Sequence, residues 1–173
     1  MSMIRLSYQR GVGLVEVLVA VLLLSVAVLG FSALQLQAIK ATEESLVRTQ
    51  ALSVVRGLAE NMRANPLQLG AYETAINDTS ITVVNCVGVT TCTAKEIAAK
   101  ESKAAVKKLQ EYDIRIKMKT CPSAANISEF SQIKCVIAAW GDTLPEMGTS
   151  AQDCANTDGT YKSGSTCVIV EAY

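Results

Sequence analysis

Between Gly13 and Asn65 the chain contains no proline. An interior proline costs a helix about 3 kcal/mol, so a proline-free stretch this long can run as one helix. The expected helix has about 50 residues and a length of about 75 Å. Two chemistries divide it. Val12 to Leu34 is a run of about 23 mostly apolar residues, long enough to cross a bilayer, and one acid, Glu16, interrupts it. After Leu34 the good helix formers Ala, Leu, Gln, Glu and Arg dominate. Lys40–Glu44, Glu44–Arg48 and Arg56–Glu60 place opposite charges one turn apart, each pair contributing a few tenths of a kcal/mol. Leu52, Val55, Leu58 or Ala59, and Met62 form an apolar stripe at helical spacing that should pack on a sheet. Asn65-Pro66 ends the helix, because the residue before proline avoids the α region. A solvated coiled coil would need sustained heptads, and these are missing.

The N-terminal end is basic. Arg5 and Arg10 precede Gly11, with no acid among the first ten residues. By the positive-inside rule this end stays cytoplasmic and everything after Leu34 lies across the membrane. A secretory signal peptide would have a shorter apolar core closed by an A-x-A-like site, and neither is present. A plain single-pass anchor accounts for the length of the run but not for Glu16. A carboxylate there costs at least about 2.5 kcal/mol, so such residues are rare and usually functional. Gly11 and Gly13 begin a G-x-G. No third glycine and no preceding strand follow the dinucleotide pattern, so that reading is discarded.

Beyond Pro66 the pattern shortens. Ile81-Thr82-Val83-Val84 is β-branched and reads as a strand. Thr93-Ala94-Lys95-Glu96 matches a capping box and opens a helix through Tyr112, with Ile97, Ala105, Leu109 and Tyr112 on one face. In Asp113 to Lys119, Ile114, Ile116 and Met118 alternate with charged residues, the period of a half-buried strand. Cys135 to Trp140 and Cys167 to Tyr173 read as strands. Gly141 to Gly164 reads as a long polar loop.

Chemistry is limited by what the chain lacks. It has no histidine, which removes Ser-His, Cys-His and His-metal arrangements. Formal net charge is zero, so no basic field points to nucleic acid. All six cysteines, Cys86, Cys92, Cys121, Cys135, Cys154 and Cys167, follow the span. With no C-x-x-C and an oxidising compartment beyond the membrane, disulfides are the expected state rather than zinc. Many connectivities are open. Consecutive pairing, Cys86–Cys92, Cys121–Cys135 and Cys154–Cys167, closes the shortest loops. Asp142, Asp153 and Asp158 lack an EF-hand spacing. Lys95, Glu96, Lys100 and Glu101 read as a solvated helix face, and Arg56, Glu60 and Arg63 as ion-paired surface. Trp140 reads as sheet core. Neither catalytic residues nor a cofactor nor a metal is expected.

The segment Arg10-Gly11-Val12-Gly13-Leu14-Val15-Glu16 resembles the type IV prepilin signal: a short basic leader, a glycine, an apolar residue, and a glutamate at the fifth position after the glycine. The resemblance implies cleavage between Gly11 and Val12, N-methylation of Val12, and a pairing of Glu16 with an N-terminal amine of a neighbouring subunit during assembly. It becomes narrower at Leu34-Gln35-Leu36-Gln37, at Ala59-Glu60-Asn61-Met62-Arg63-Ala64-Asn65-Pro66 and around Cys86 to Cys92. These runs are similar to the PilV-type minor pilins, the type IV pilus modification proteins. For Asp113 to Lys119 the resemblance favours helix continuing into a loop, against the strand alternation. Major pilins often carry a proline about twenty residues into the mature chain; only Gly30 interrupts the span here, at about 1 kcal/mol of helix propensity.

The resemblance implies an α+β, pilin-like fold: one long N-terminal helix, its first half transmembrane, packed on a small antiparallel sheet head stapled by disulfides. The expected division is a cleaved leader at 1–11, a membrane or filament-core half-helix at 12–34, an amphipathic half at 35–65 and a periplasmic head at 66–173. The implied function is structural, a subunit of the priming or tip complex that promotes pilus assembly. Its partners would be other minor pilins, the major pilin, the prepilin peptidase, the inner-membrane assembly platform and a tip adhesin. The alternatives are a minor pseudopilin of a type II secretion or DNA-uptake machine, and a membrane-tethered envelope adhesin. The last would want an aromatic platform, and only 5% of residues are aromatic.

Overall fold

A computed structural model describes residues 11, 13–84, 91–122 and 133–172. The long helix forms as one element, α1, Leu14–Ala64, and stops one residue before Asn65-Pro66. The chain divides into two compact units, Met1–Glu44 and Ser45–Tyr173, and α1 runs through both. The i,i+4 ion pairs expected along α1 do not form. Glu60 instead pairs with Arg63, one turn on, leaving Arg56 outside the bridge. Such exposed pairs differ by only tenths of a kcal/mol, so helix geometry and rotamer preference decide between them.

In the second unit, α1 buries Ala51, Val54, Val55, Leu58, Ala59 and Met62. The buried residues recur at three- and four-residue steps and make a face that packs into the core with Tyr72, Leu109, Met118 and Val136. Burial of Leu58 or Met62 contributes on the order of 1.5–3 kcal/mol each. Leu52, expected in the stripe, is only half-buried at its margin.

Asn65-Pro66 leads into a short 3₁₀ turn, Pro66–Gln68, and then a second helix, α2, Leu69–Asn77, that sequence patterning did not reveal. Nine residues are too few for a periodic signal, and α2 has no side-chain N-cap. It is held by burying Tyr72, Ala75 and Ile76. Ile81 to Val84 is not a strand. β-branched residues favour a strand only where a sheet receives them, and the sheets of the described residues are built from later segments.

Helix α3, Ala94–Gln110, opens on the capping box. Thr93 Oγ1 accepts from Glu96 N–H, and the Glu96 carboxylate accepts from Thr93 N–H at 2.8 Å. These bonds hold the Glu96 carboxyl below its usual pKa. The buried face of α3 is only partly the one expected. Leu109 is buried and Ala105 packs against the core as expected, Ala98 and Ser102 are buried as well, and Ile97 and Tyr112 stay 41% and 39% exposed. α3 packs on α2 and on the first strand. Small side chains permit a close helix–helix approach, so Ala98 and Ser102 outcompete Ile97 for the interior. Ser102 satisfies its hydroxyl on Ala98 O at 2.8 Å.

Three strands, β1 Arg115–Thr120, β2 Lys134–Ala139 and β5 Cys167–Ala172, form an antiparallel sheet in the order β1-β2-β5. The alternation in 113–119 is therefore a strand. Val136 and Ala138 face α1, while Ile137 and Ala139 pack with Cys154 and Cys167 on the other side. Trp140 follows β2 and is buried in the core. The expected polar loop holds two more strands, β3 Leu144–Met147 and β4 Asp153–Ala155, paired in parallel. Their side chains gave no clear alternation because both strands are short and β4 is buried at every position. A turn closes between them where a Cβ on Gly148 would meet Asp153 Oδ2 at 2.7 Å, so any other residue there would have to displace the Asp153 carboxylate.

Disulfides join Cys121 to Cys135 and Cys154 to Cys167. The first links the end of β1 to β2, the second β4 to β5. The expected Cys86–Cys92 pair involves Cys86, which lies outside the described residues. The architecture is α+β: a long N-terminal helix and an antiparallel sheet head, with two disulfides joining described residues.

Candidate functional site

The first turn of α1 is built on Gly13. Its carbonyl accepts from the N–H of Glu16 at 2.9 Å and of Val17 at 3.3 Å. Gly11 is exposed, and Val12 and the leader residues 1–10 lie outside the described residues. The expected cleavage and methylation at Gly11 and Val12 thus rest on sequence. Glu16 lies in the first turn of α1, where unsatisfied N–H groups carry partial positive charge and favour an acid. It is the only charged residue between Arg10 and Lys40.

Around it, α1 offers a bare apolar surface. Leu14 is 78% exposed, Leu22 63% and Leu29 70%, and the rest of the span is equally uncovered. By length and composition this is a helix fit to cross a membrane. Its polar atoms are arranged for an apolar environment. Ser25 Oγ donates to Val21 O at 2.8 Å and Ser32 Oγ to Val28 O at 2.9 Å, so both hydroxyls are satisfied within the helix. The helix continues through Gly30 without interruption. Such a surface needs lipid or other apolar helices to cover it, and inside that cover an unpaired Glu16 carboxylate costs several kcal/mol. A cation beside the carboxylate would offset that cost.

The other residues singled out in the sequence have structural duties. Asp153 is buried, accepts from Ser150 N–H at 2.9 Å and lies 3.9 Å from Lys162 Nζ. Asp158 accepts from Thr160 N–H and Oγ1, which keeps its carboxyl below the usual range. Among the described residues no group of three acids or cysteines is placed to hold a metal ion. Glu101 is half-buried rather than on a solvated face, and it accepts from the Tyr72 hydroxyl. Tyr72 is fully buried; burial and then the Glu101 carboxylate push its phenol well above the ordinary value. Nothing in the local sequence marks this contact, because its partners are 29 residues apart.

Two family comparisons cover this region. Residues 6–32 match the prokaryotic N-terminal methylation motif, and residues 33–102 match the Tt1218-like family, described as type IV pilin Tt1218. Both support a type IV pilin, and the long helix with its antiparallel, disulfide-bonded head is consistent with the pilin fold. No curated protein and no solved structure matches the chain. A pilin bearing this signal implies processing by the prepilin peptidase and assembly with other pilins, and the apolar helix suggests membrane anchoring before entry into a pilus. Pilins are in general structural rather than enzymatic.

Proposed function

We propose that this chain is a minor pilin of the PilV type, a structural subunit of the complex that primes or tips a type IV pilus. The leader 1–11 is removed, Val12 becomes the methylated N-terminus, 12–34 enters the membrane and then the filament core, 35–65 supports the head, and 66–173 faces the periplasm before reaching the cell surface. One observation carries the reading: an uncovered apolar helix with a single carboxylate, Glu16, in its first turn, within a match to the methylation motif. The segment Asn61-Met62-Arg63-Ala64-Asn65-Pro66 supports the minor-pilin assignment by resemblance. Its partners are other minor pilins, the major pilin, the peptidase, the inner-membrane platform and a tip adhesin. Deleting the chain should reduce surface pili and twitching, and add-back should restore both. Normal piliation with unchanged tip composition in the deletion strain would count against the proposal.

A further inference from the structure

We propose that the outer edge of β5 docks an extended segment of another protein chain, which adds to the sheet as a fourth strand and places a lysine or arginine in the cleft beside it. Backbone bonding directions carry the first half of this. Trp140 N–H donates to Thr166 O at 3.0 Å and Cys121 N–H to Ile133 O at 2.9 Å. The even-numbered residues of β2 therefore bond toward β5, and the odd-numbered ones toward β1. Opposite Ala138, Val136 and Lys134 stand Val168, Val170 and Ala172, so these three turn inward. Ile169 and Glu171 turn their N–H and C=O outward.

Ile169 N–H is met by Tyr161 Oη at 2.8 Å. Among the described residues nothing meets Ile169 C=O, Glu171 N–H or Glu171 C=O. The opposite edge differs: there Asn77 bonds both outward groups of Met118. One edge of the sheet is closed at its centre and the other is open at its end. An open edge is a template for strand addition.

The cleft supplies the second half. Ile169 and Glu171 point to the same side and line a cavity of about 270 Å³ with Pro122, Met147, Asp158 and Tyr161. A strand laid along β5 would send alternate side chains over it. The cavity combines apolar walls, Met147 and Ile169, with two carboxylates, Asp158 and Glu171, and none of the described residues lining it is basic. That combination suits a long aliphatic stem ending in a cation. A second copy of β5 paired antiparallel about Glu171, the open end of the edge, fits poorly, since it sets Glu171 opposite its own counterpart and like charges across strands destabilise. The Tyr161 hydroxyl stands where an incoming carbonyl would stand, and its displacement would extend the ladder from Glu171 to Ile169. The surface uses head groups alone and holds whether or not the chain enters a pilus.

The test uses the full chain in detergent micelles and a short synthetic peptide of alternating valine and threonine with one central lysine, beside a control with glutamate in its place. Backbone amide shifts and exchange at Ile169 to Glu171 are followed. The lysine peptide should slow exchange of Glu171 N–H and bind about fivefold or more tightly than the glutamate peptide. Glu171→Lys should reverse that preference. Glu171→Pro removes only an outward N–H, so protection of Val168 and Val170 should persist while peptide binding is lost. Equal binding of both peptides, no change at β5 with the lysine peptide, or self-association through β5 without peptide would each overturn the proposal.

Discussion

Asn77 and Met118 form a two-bond bridge between α2 and β1: Asn77 Nδ2 donates to Met118 O at 2.8 Å and Met118 N–H donates to Asn77 Oδ1 at 3.0 Å. The side-chain amide imitates a neighbouring strand. It satisfies the outward pair at the middle of an edge strand and anchors the end of α2 to the sheet.

Replacing Asn77 by alanine should cost about 1–3 kcal/mol, the worth of two partly buried hydrogen bonds. Chemical denaturation of the detergent-solubilised chain would measure it. Asn77→Asp should also destabilise, since a carboxylate cannot donate to Met118 O. An unchanged midpoint in both variants would mean that the bridge contributes nothing.

Acid should weaken the head through Glu146. Its carboxylate lies between Lys117 and Lys119. Burial pushes its pKa up, but the two ammonium groups outweigh burial and hold it below the ordinary 4.5. A depressed folded-state pKa means stability that is present above about 4.5 and is lost as pH falls through the lower folded value. Glu146→Gln should flatten the acid limb of the stability–pH curve between those values. An acid limb as steep as wild type would remove Glu146 from the account.

Reduction should loosen the C-terminal half of the head. Cys121–Cys135 and Cys154–Cys167 close loops with sequence separations of 14 and 13 residues. Each is expected to contribute roughly 2–4 kcal/mol. Alkylation without reductant, read by mass spectrometry, should leave Cys121, Cys135, Cys154 and Cys167 unmodified. Cys154→Ser with Cys167→Ser should release β4 from β5 and lower thermal stability more than any single surface substitution.

At the N-terminus, the protein recovered from sheared pili should begin at methylated Val12, and Gly11→Ala should slow or block that cleavage. Glu16→Val leaves the glycine intact, so processing should survive and membrane retention should equal or exceed wild type. Incorporation with other pilins should fall, because a terminal amine in a dry helix bundle then lacks its carboxylate. Wild-type amounts of Glu16→Val in sheared fibres would show that this residue is not the assembly contact.

What the sequence by itself determined is local. The span from Leu14, the stop before Asn65-Pro66, the Thr93–Glu96 cap and the alternation that became β1 all follow from steric and hydrogen-bonding rules acting over a few residues. The N-terminal signal is legible for the same reason, being contiguous. Tertiary structure decided the rest. It turned Ala98 rather than Ile97 inward, kept Ile81 to Val84 out of strand conformation, and paired Leu144 to Met147 with Asp153 to Ala155. It also closed one sheet edge with Asn77 and left Glu171 open at the other. Those outcomes depend on which groups distant in the chain arrive next to each other. Once a helix face is crowded or an edge is capped, local preference differences of tenths of a kcal/mol yield to packing and hydrogen-bond terms of one to a few kcal/mol.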